Sequence, residues 1–244
     1  MCRHTAWLGP SRTLAEILLQ PPHGLLRQSW APRHQRHGTL NADGFGVGWS
    51  VPGRVEPVRY RRAAPMWSDA SFASLAPALS SGCVLAAVRS ATPGGPAGEQ
   101  ACAPFLLPGG VLLSHNGAVP VPAVAPLVSA AQLAAVGSTV DSAFVAALVA
   151  DRLGAGLPEA LASTVRAVAA VAPEARLNLL ATDGTTVAAT TWGDTLCWRV
   201  TAGGVEVASE PSDDSPGWTD VPDRCVLRVC GDGCSVSPLD EGIT

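Results

Sequence analysis

The sequence predicts an α+β protein in which helices cover antiparallel sheets. Three observations lead there. Strand patterns come first, a helical middle follows, and strands return, with no alternating βαβ repeat. The hairpin signals join neighbours in sequence, above all Asp183-Gly184 between apolar runs at 177–182 and 186–191. At 47% apolar and 15% charged residues, the 244-residue chain can fill a large core and is not disordered. We read it as a single domain spanning 1–244, with no repeat period and no long linker.

Taken in order, residues 2–8 read as a strand ended by Gly9-Pro10. A helix over 12–20 is stopped by Pro21-Pro22. Residues 29–43 form an irregular loop, whose Arg33, His34, Arg36 and His37 read as solvated charge. Segments 45–51 and 54–61 alternate around Pro52-Gly53 as a hairpin. Residues 71–80 suit a helix, 83–89 a buried strand carrying Cys83, and 111–115 another. Residues 139–153 place Val140, Phe144 and Leu148 on one helical face. Residues 158–171 follow as a helix with Pro158 in its first turn. Strands at 196–201 and 205–209 flank Ala202-Gly203-Gly204, and 225–230 reads as the last strand.

Composition removes several function classes. A net charge of −4 provides no basic field for nucleic acid. The chain has no lysine, so Schiff-base, P-loop and kinase-type lysine chemistry is excluded. That bias, with abundant Ala, Gly, Pro and Val, points to a high-G+C bacterial genome. Residues 70–88 and 101–140 lack Asp, Glu and Arg, yet prolines, glycines and polar residues interrupt both, so they read as buried globular segments and not membrane spans. No signal-peptide pattern opens the chain, so a cytoplasmic location is expected and Cys2 is not a lipoprotein cysteine. Seven cysteines fit free thiols in that compartment. The C-x4-C-x3-C spacing of Cys225, Cys230 and Cys234 does not match a usual zinc site, and no metal is expected there.

Five short features carry chemistry. Cys2 follows Met1, and removal of Met1 would leave a thiol and a free α-amine on one residue. The amine, with a pKa of about 7.7–8.0, could serve as base to a thiol of about 8.5. Equally, a small apolar residue suits the start of a buried strand. Asn41-Ala42-Asp43-Gly44-Phe45-Gly46-Val47-Gly48-Trp49 permits tight turns and close approach to a ligand, but no βαβ unit surrounds it as a dinucleotide loop requires. Arg89, in Val88-Arg89-Ser90-Ala91-Thr92-Pro93, ends a buried strand, where it takes either a substrate carboxylate or an internal acid. Ser114-His115-Asn116-Gly117 offers an amide and a glycine N–H side by side, as an oxyanion hole or a plain turn. His115 itself reads as a hydrogen-bonding residue at the site or as a base. Thr139-Val140-Asp141-Ser142 is a helix cap or a carboxylate for a substrate ammonium.

Together, in this order from residue 2, these motifs resemble the class II glutamine amidotransferases, N-terminal nucleophile hydrolases with a four-layer αββα sandwich. The resemblance covers the chain to about residue 210. Ser90 stands at the open position of the Arg-x-Ala-Thr motif, between Arg89 and Ala91. The runs Cys2-Arg3-His4, Arg36-His37-Gly38-Thr39-Leu40-Asn41, Ala101-Cys102-Ala103-Pro104-Phe105 and Val207-Ala208-Ser209-Glu210-Pro211-Ser212-Asp213-Asp214 are similar to the ergothioneine-pathway branch of that family. That branch hydrolyses γ-glutamyl hercynylcysteine S-oxide, and an actinobacterial source would fit both pathway and composition.

The resemblance implies Cys2 as nucleophile, Asn116 and Gly117 as oxyanion donors, Arg89 on the glutamyl carboxylate and Asp141 on its ammonium. His115, Asn41, Asp43 and Gly44 join the substrate-binding set. It implies no cofactor. The partner is a small γ-glutamyl molecule, with no nucleic acid or membrane, and a homo-oligomer is compatible with the sequence. A quaternary ammonium on the leaving group would suit Trp7, Trp30, Trp49 or Trp67, with Asp43 among the acidic residues. Two other functions stay open: a glutaminase subunit passing ammonia to a partner synthase, which the chain's length disfavours, and a non-catalytic binding module.

Overall fold

The computed structural model describes residues 2–91, 95–201 and 203–239. The chain opens with β1 (Arg3–Thr13), α1 (Leu14–Leu18), α2 (Leu25–Gln28), β2 (Phe45–Trp49), β3 (Val58–Arg62), α3 (Ala70–Leu75) and β4 (Ser80–Val88). The middle holds β5 (Phe105–Leu107), β6 (Val111–Ala118), α4 (Val121–Val124), α5 (Ala130–Val136), α6 (Asp141–Arg152) and α7 (Leu157–Val171). It closes with β7 (Arg176–Thr182), β8 (Val187–Thr191), β9 (Cys197–Thr201), β10 (Gly204–Ala208), β11 (Thr219–Asp220), β12 (Cys225–Cys230) and β13 (Gly233–Pro238).

Among the described residues these strands form a seven-stranded sheet, β11-β9-β10-β1-β4-β2-β3, and a six-stranded sheet, β13-β12-β8-β7-β6-β5. Every pairing is antiparallel. Three apolar layers separate four structural ones. Between the sheets lie Ala6, Leu85 and Val207 from one and Leu112, Leu180, Ala189 and Leu227 from the other. Beneath the seven-stranded sheet, Val47, Val84, Ala86 and Val88 meet Leu14, Ile17, Leu18, Leu25 and Phe72. Beneath the six-stranded sheet, Leu113, Leu179, Ala181 and Ala188 meet α6 and α7. Neighbouring residues face opposite layers, Leu112 against Leu113 and Leu179 against Leu180, as the two-residue strand period demands. With both faces buried, these strands read as unbroken apolar runs rather than as alternation.

The architecture is thus the four-layer αββα sandwich expected, with several boundaries moved. β1 does not stop at Gly9-Pro10. It shifts register between Leu8 and Arg12 and resumes against Ser80 and Ser81, so the proline falls at an irregularity where no ladder donor is needed. The first helix is therefore only α1, opened by a capping box between Thr13 and Glu16. Ser80 belongs to β4, which shortens α3. The β2–β3 connection is a wide loop over 50–57 rather than a tight turn at Pro52-Gly53. Within 101–140 sit β5, α4 and α5, the last with a Ser129/Gln132 capping box and Gly137 in the left-handed region at φ 72°. β12 is not last, since β13 pairs back on it.

The apolar stretches at 70–88 and 101–140 form short helices and strands of this core. Among the described residues no single helix is long and apolar enough to cross a membrane.

Candidate active site

β1 and β6 come from different sheets, and their ends meet at a cleft of about 710 Å³. Cys2 heads β1 and lines the cleft with Arg89, His115, Gly117 and Asp141. Its backbone nitrogen donates to Asn116 Oδ1 at 3.1 Å. In a chain without Met1 that nitrogen would be the α-amine. Asn116 is fully buried, and its Nδ2 has no hydrogen-bond partner among the described residues. An amide donor left unpaired beside a nucleophile is costly at rest and suited to an oxygen that arrives with the substrate.

Gly117 is required by crowding. A Cβ there would stand 1.9 Å from the Arg176 carbonyl oxygen and 2.5 Å from His115 Nε2. His115 is held from both sides, with Nε2 2.8 Å from the Arg176 carbonyl and Nδ1 3.0 Å from Ser142 Oγ. The carbonyl can only accept, so Nε2 carries the proton and Nδ1 accepts from the serine. Burial lowers the His115 pKa, which keeps this neutral tautomer. Both ring nitrogens are thus committed to protein partners. That arrangement positions β6 against α6 and leaves no lone pair for a general base.

Burial pushes the Cys2 thiol up, and Asp141 acts in the same direction, while a Ser90 backbone hydrogen bond and Arg89 pull it down. The thiol therefore rests protonated and needs a base. Ser90 acts through its backbone, so this contact does not depend on which side chain fills the open position of the motif. Thr92 and Pro93 of that motif lie outside the described residues.

Arg89 and Asp141 face the cleft with no ion-pair partner among the described residues. Among the described residues the Arg89 guanidinium donates to the carbonyls of Asp43 (3.4 Å) and Pro96 (2.9 Å). Asp141, at the first turn of α6, accepts from Val119 N–H (3.3 Å) and Ser142 N–H (2.8 Å).

Asn41, Asp43 and Gly44 stand behind this surface. The Asp43 carboxylate accepts the Ala91 N–H at 2.7 Å, while the Gly44 carbonyl accepts the Arg89 N–H. Gly44 has φ 139°, and a Cβ would come 2.4 Å from Cys102 Sγ. Asn41 Nδ2 donates to the Gln28 carbonyl and to Gln35 Oε1. These residues hold loops in place and do not line the cleft. No tryptophan lines it either: Trp7 and Trp49 are core, and Trp30 packs edge-on against Trp67.

Sequence reasoning missed the scaffold of the 29–43 loop. Arg3, fully buried, donates to Gln35 Oε1 and Thr195 Oγ1 and lies 3.7 Å from Asp194. The Glu210 carboxylate accepts the N–H groups of Arg33 and His34, and Arg33 also pairs with Asp214. This network brings His37 and Gly38 to the cleft. The signal was present in the Ser209-Glu210-Pro211-Ser212-Asp213-Asp214 run, but only the fold shows what it grips.

A protein of Mycolicibacterium smegmatis named gamma-glutamyl-hercynylcysteine sulfoxide hydrolase is 54% identical over 239 residues, covering 98% of this chain and all of that one. A protein of the same name from Mycobacterium tuberculosis is 50% identical over 99% of this chain and 98% of its own. The chain belongs to the gamma-glutamyl-hercynylcysteine sulfoxide hydrolase family. It is a hydrolase. No family model matches the chain.

Solved class II amidotransferases share the fold of the hydrolase family's sandwich. A glutamine aminotransferase class-II domain protein from Silicibacter pomeroyi superposes with a TM-score of 0.71 at 21% identity, covering 97% of this chain and 99% of that one. The glutamine phosphoribosylpyrophosphate amidotransferase of B. subtilis gives 0.71 at 16% identity, with 99% of this chain matching 50% of that one. At such identities the likeness is one of fold.

Proposed function

We propose that this protein hydrolyses γ-glutamyl-hercynylcysteine sulfoxide to glutamate and hercynylcysteine sulfoxide through a glutamyl thioester on Cys2. The observation that carries the mechanism is the Cys2 nitrogen held by Asn116 Oδ1 while the buried Asn116 Nδ2 is left unpartnered. Two full-length relatives at 50% identity or more carry the substrate's name.

Removal of Met1 exposes the α-amine. It takes the thiol proton, and the thiolate attacks the γ-carbonyl carbon. Asn116 Nδ2 and the Gly117 N–H receive the oxyanion. The protonated amine then gives its proton to the leaving nitrogen as the C–N bond breaks. Water, deprotonated by the same amine, opens the thioester and releases glutamate. Arg89 holds the glutamyl α-carboxylate and Asp141 its ammonium. We assign the reaction to the cytoplasm, in line with the cysteine usage of the sequence.

A yeast protein named probable glutamine amidotransferase is 32% identical over 49% of this chain, which keeps a glutaminase reading as the alternative. Intact mass before and after 6-diazo-5-oxo-L-norleucine tests the mechanism. Loss of Met1 and one adduct on Cys2 is expected. Retained Met1 with no adduct overturns it. Hydrolysis of glutamine at a rate matching the γ-glutamyl thioether sulfoxide would favour the alternative.

A further inference from the structure

The cleft carries one more charge than a glutamyl group needs. Arg89 and Asp141 match its carboxylate and ammonium. Arg176 also lines the cleft, and among the described residues neither a carboxylate nor any side-chain hydrogen bond meets its guanidinium. Its Nε is buried without a partner. An arginine in that state has exchanged part of its water for nothing, which favours an acceptor supplied by the ligand.

The fold fixes where that acceptor would lie. Arg176 is the first residue of β7 and pairs with Ala118, one step beyond Gly117 on β6. Strand geometry puts that step at about 3.4 Å. The Arg176 carbonyl accepts from His115 Nε2, so its backbone is locked beside the oxyanion donors. Its stem runs along Gly193, where a Cβ would stand 3.1 Å from Arg176 Cγ. The stem is thus anchored against Gly193, on the residue that pairs next to Gly117 in the sheet.

We propose that Arg176 binds the α-carboxylate of the leaving amino acid, the group one carbon from the scissile nitrogen, and so selects γ-glutamyl peptides over glutamine. This rests on the γ-glutamyl hydrolase reading above. Glutamine releases ammonia, which offers Arg176 nothing, whereas an amino-acid leaving group offers a planar anion suited to two parallel N–H donors.

The test uses γ-glutamyl-S-methylcysteine sulfoxide and its decarboxylated counterpart, the γ-glutamyl amide of 2-(methylsulfinyl)ethylamine. Wild type should prefer the carboxylate by roughly 30-fold or more in kcat/KM, and Arg176→Met should bring the two within about threefold by slowing the first alone. Arg176→Lys should restore part of the preference. The diazo-oxo-norleucine adduct should form at an unchanged rate in Arg176→Met, which shows that Cys2 and the glutamyl end are intact.

Equal loss on both substrates would assign Arg176 a structural part through His115 and overturn the proposal. A preference that survives in Arg176→Met overturns it too. So does an effect seen only with the full hercynyl substrate, because the contact would then be with the distal betaine carboxylate. Wild-type failure on every γ-glutamyl substrate sinks the underlying reading, and this inference with it.

Discussion

The cleft has two unlike walls. One is made of strand ends, with Cys2 on β1 and His115, Asn116 and Gly117 on β6. Its residues are packed into the sandwich, and its polar atoms are met by fixed protein partners, apart from Asn116 Nδ2, which has none among the described residues. The other is made of loops and a helix start: His37 and Gly38, with Arg89 and Asp141, whose side chains reach backbone groups and have no ion-pair partner among the described residues. The difference teaches a division of labour. Donors that must meet a developing charge do best when fixed beforehand. Groups that must first receive a charged substrate do best with water that can leave.

The sharpest way to break this comparison is at Cys2. Cys2→Ala should lower kcat on the order of 10⁴-fold or more and abolish the diazo-oxo-norleucine adduct. Activity surviving within tenfold would show that the strand wall is not the chemical one. Next comes Asn116. Asn116→Asp keeps an oxygen for the Cys2 nitrogen but removes the donor, and kcat should fall about 10²–10³-fold with KM little changed. A change confined to KM would move Asn116 to the recognition side. On the other wall, Asp141→Asn keeps one oxygen for the closer Ser142 N–H, and loses the charge and the 3.3 Å acceptor of the Val119 N–H. It should cost roughly 10–100-fold in kcat/KM, mainly through KM, with thermal unfolding little altered. A loss carried by kcat alone would erase the proposed division.

The same contrast decides what was legible in the sequence. Chemistry at strand ends and at a helix start leaves compact motifs, so Cys2, Arg89, His115-Asn116-Gly117 and Asp141 could be picked out, and the structure brings Cys2, Arg89, His115, Gly117 and Asp141 to one cleft with Asn116 holding Cys2. The sandwich was legible because apolar runs mark strands buried on both faces, and Asp183-Gly184 marks a hairpin. What stayed hidden depends on contacts distant in sequence. Arg176 meets Ala118 only through the β6–β7 register, and Glu210 grips Arg33 across 177 residues. Asn41, Asp43 and Gly44 were legible as a motif, but their spacing could not distinguish contact with ligand from support of the Arg89 loop. The short α4 and α5 escaped because small apolar residues there give no clear period.

The smallest expected effect concerns stability rather than turnover, and it tests how dry the strand wall is. His4 follows Cys2 by two residues, is fully buried, and among the described residues its ring meets only Ser114 Oγ through Nδ1, at 3.2 Å. Burial, helped by the nearby charge of Arg3, holds its pKa down to about 3 from an ordinary 6.5. The unfolded chain therefore binds a proton between pH 6.5 and 3 that the folded chain refuses. Stability is fully present above pH 6.5 and falls as the pH drops through that window, by about 1.4 kcal/mol per pH unit for this one group. His115, lowered by burial as well, adds to the same slope. In His4→Gln, unfolding free energies measured by denaturant between pH 6.5 and 5 should fall less steeply, by about one proton's worth. Identical slopes in the two proteins would mean that His4 takes up its proton in the folded state, and that water reaches the strand wall as freely as the loops.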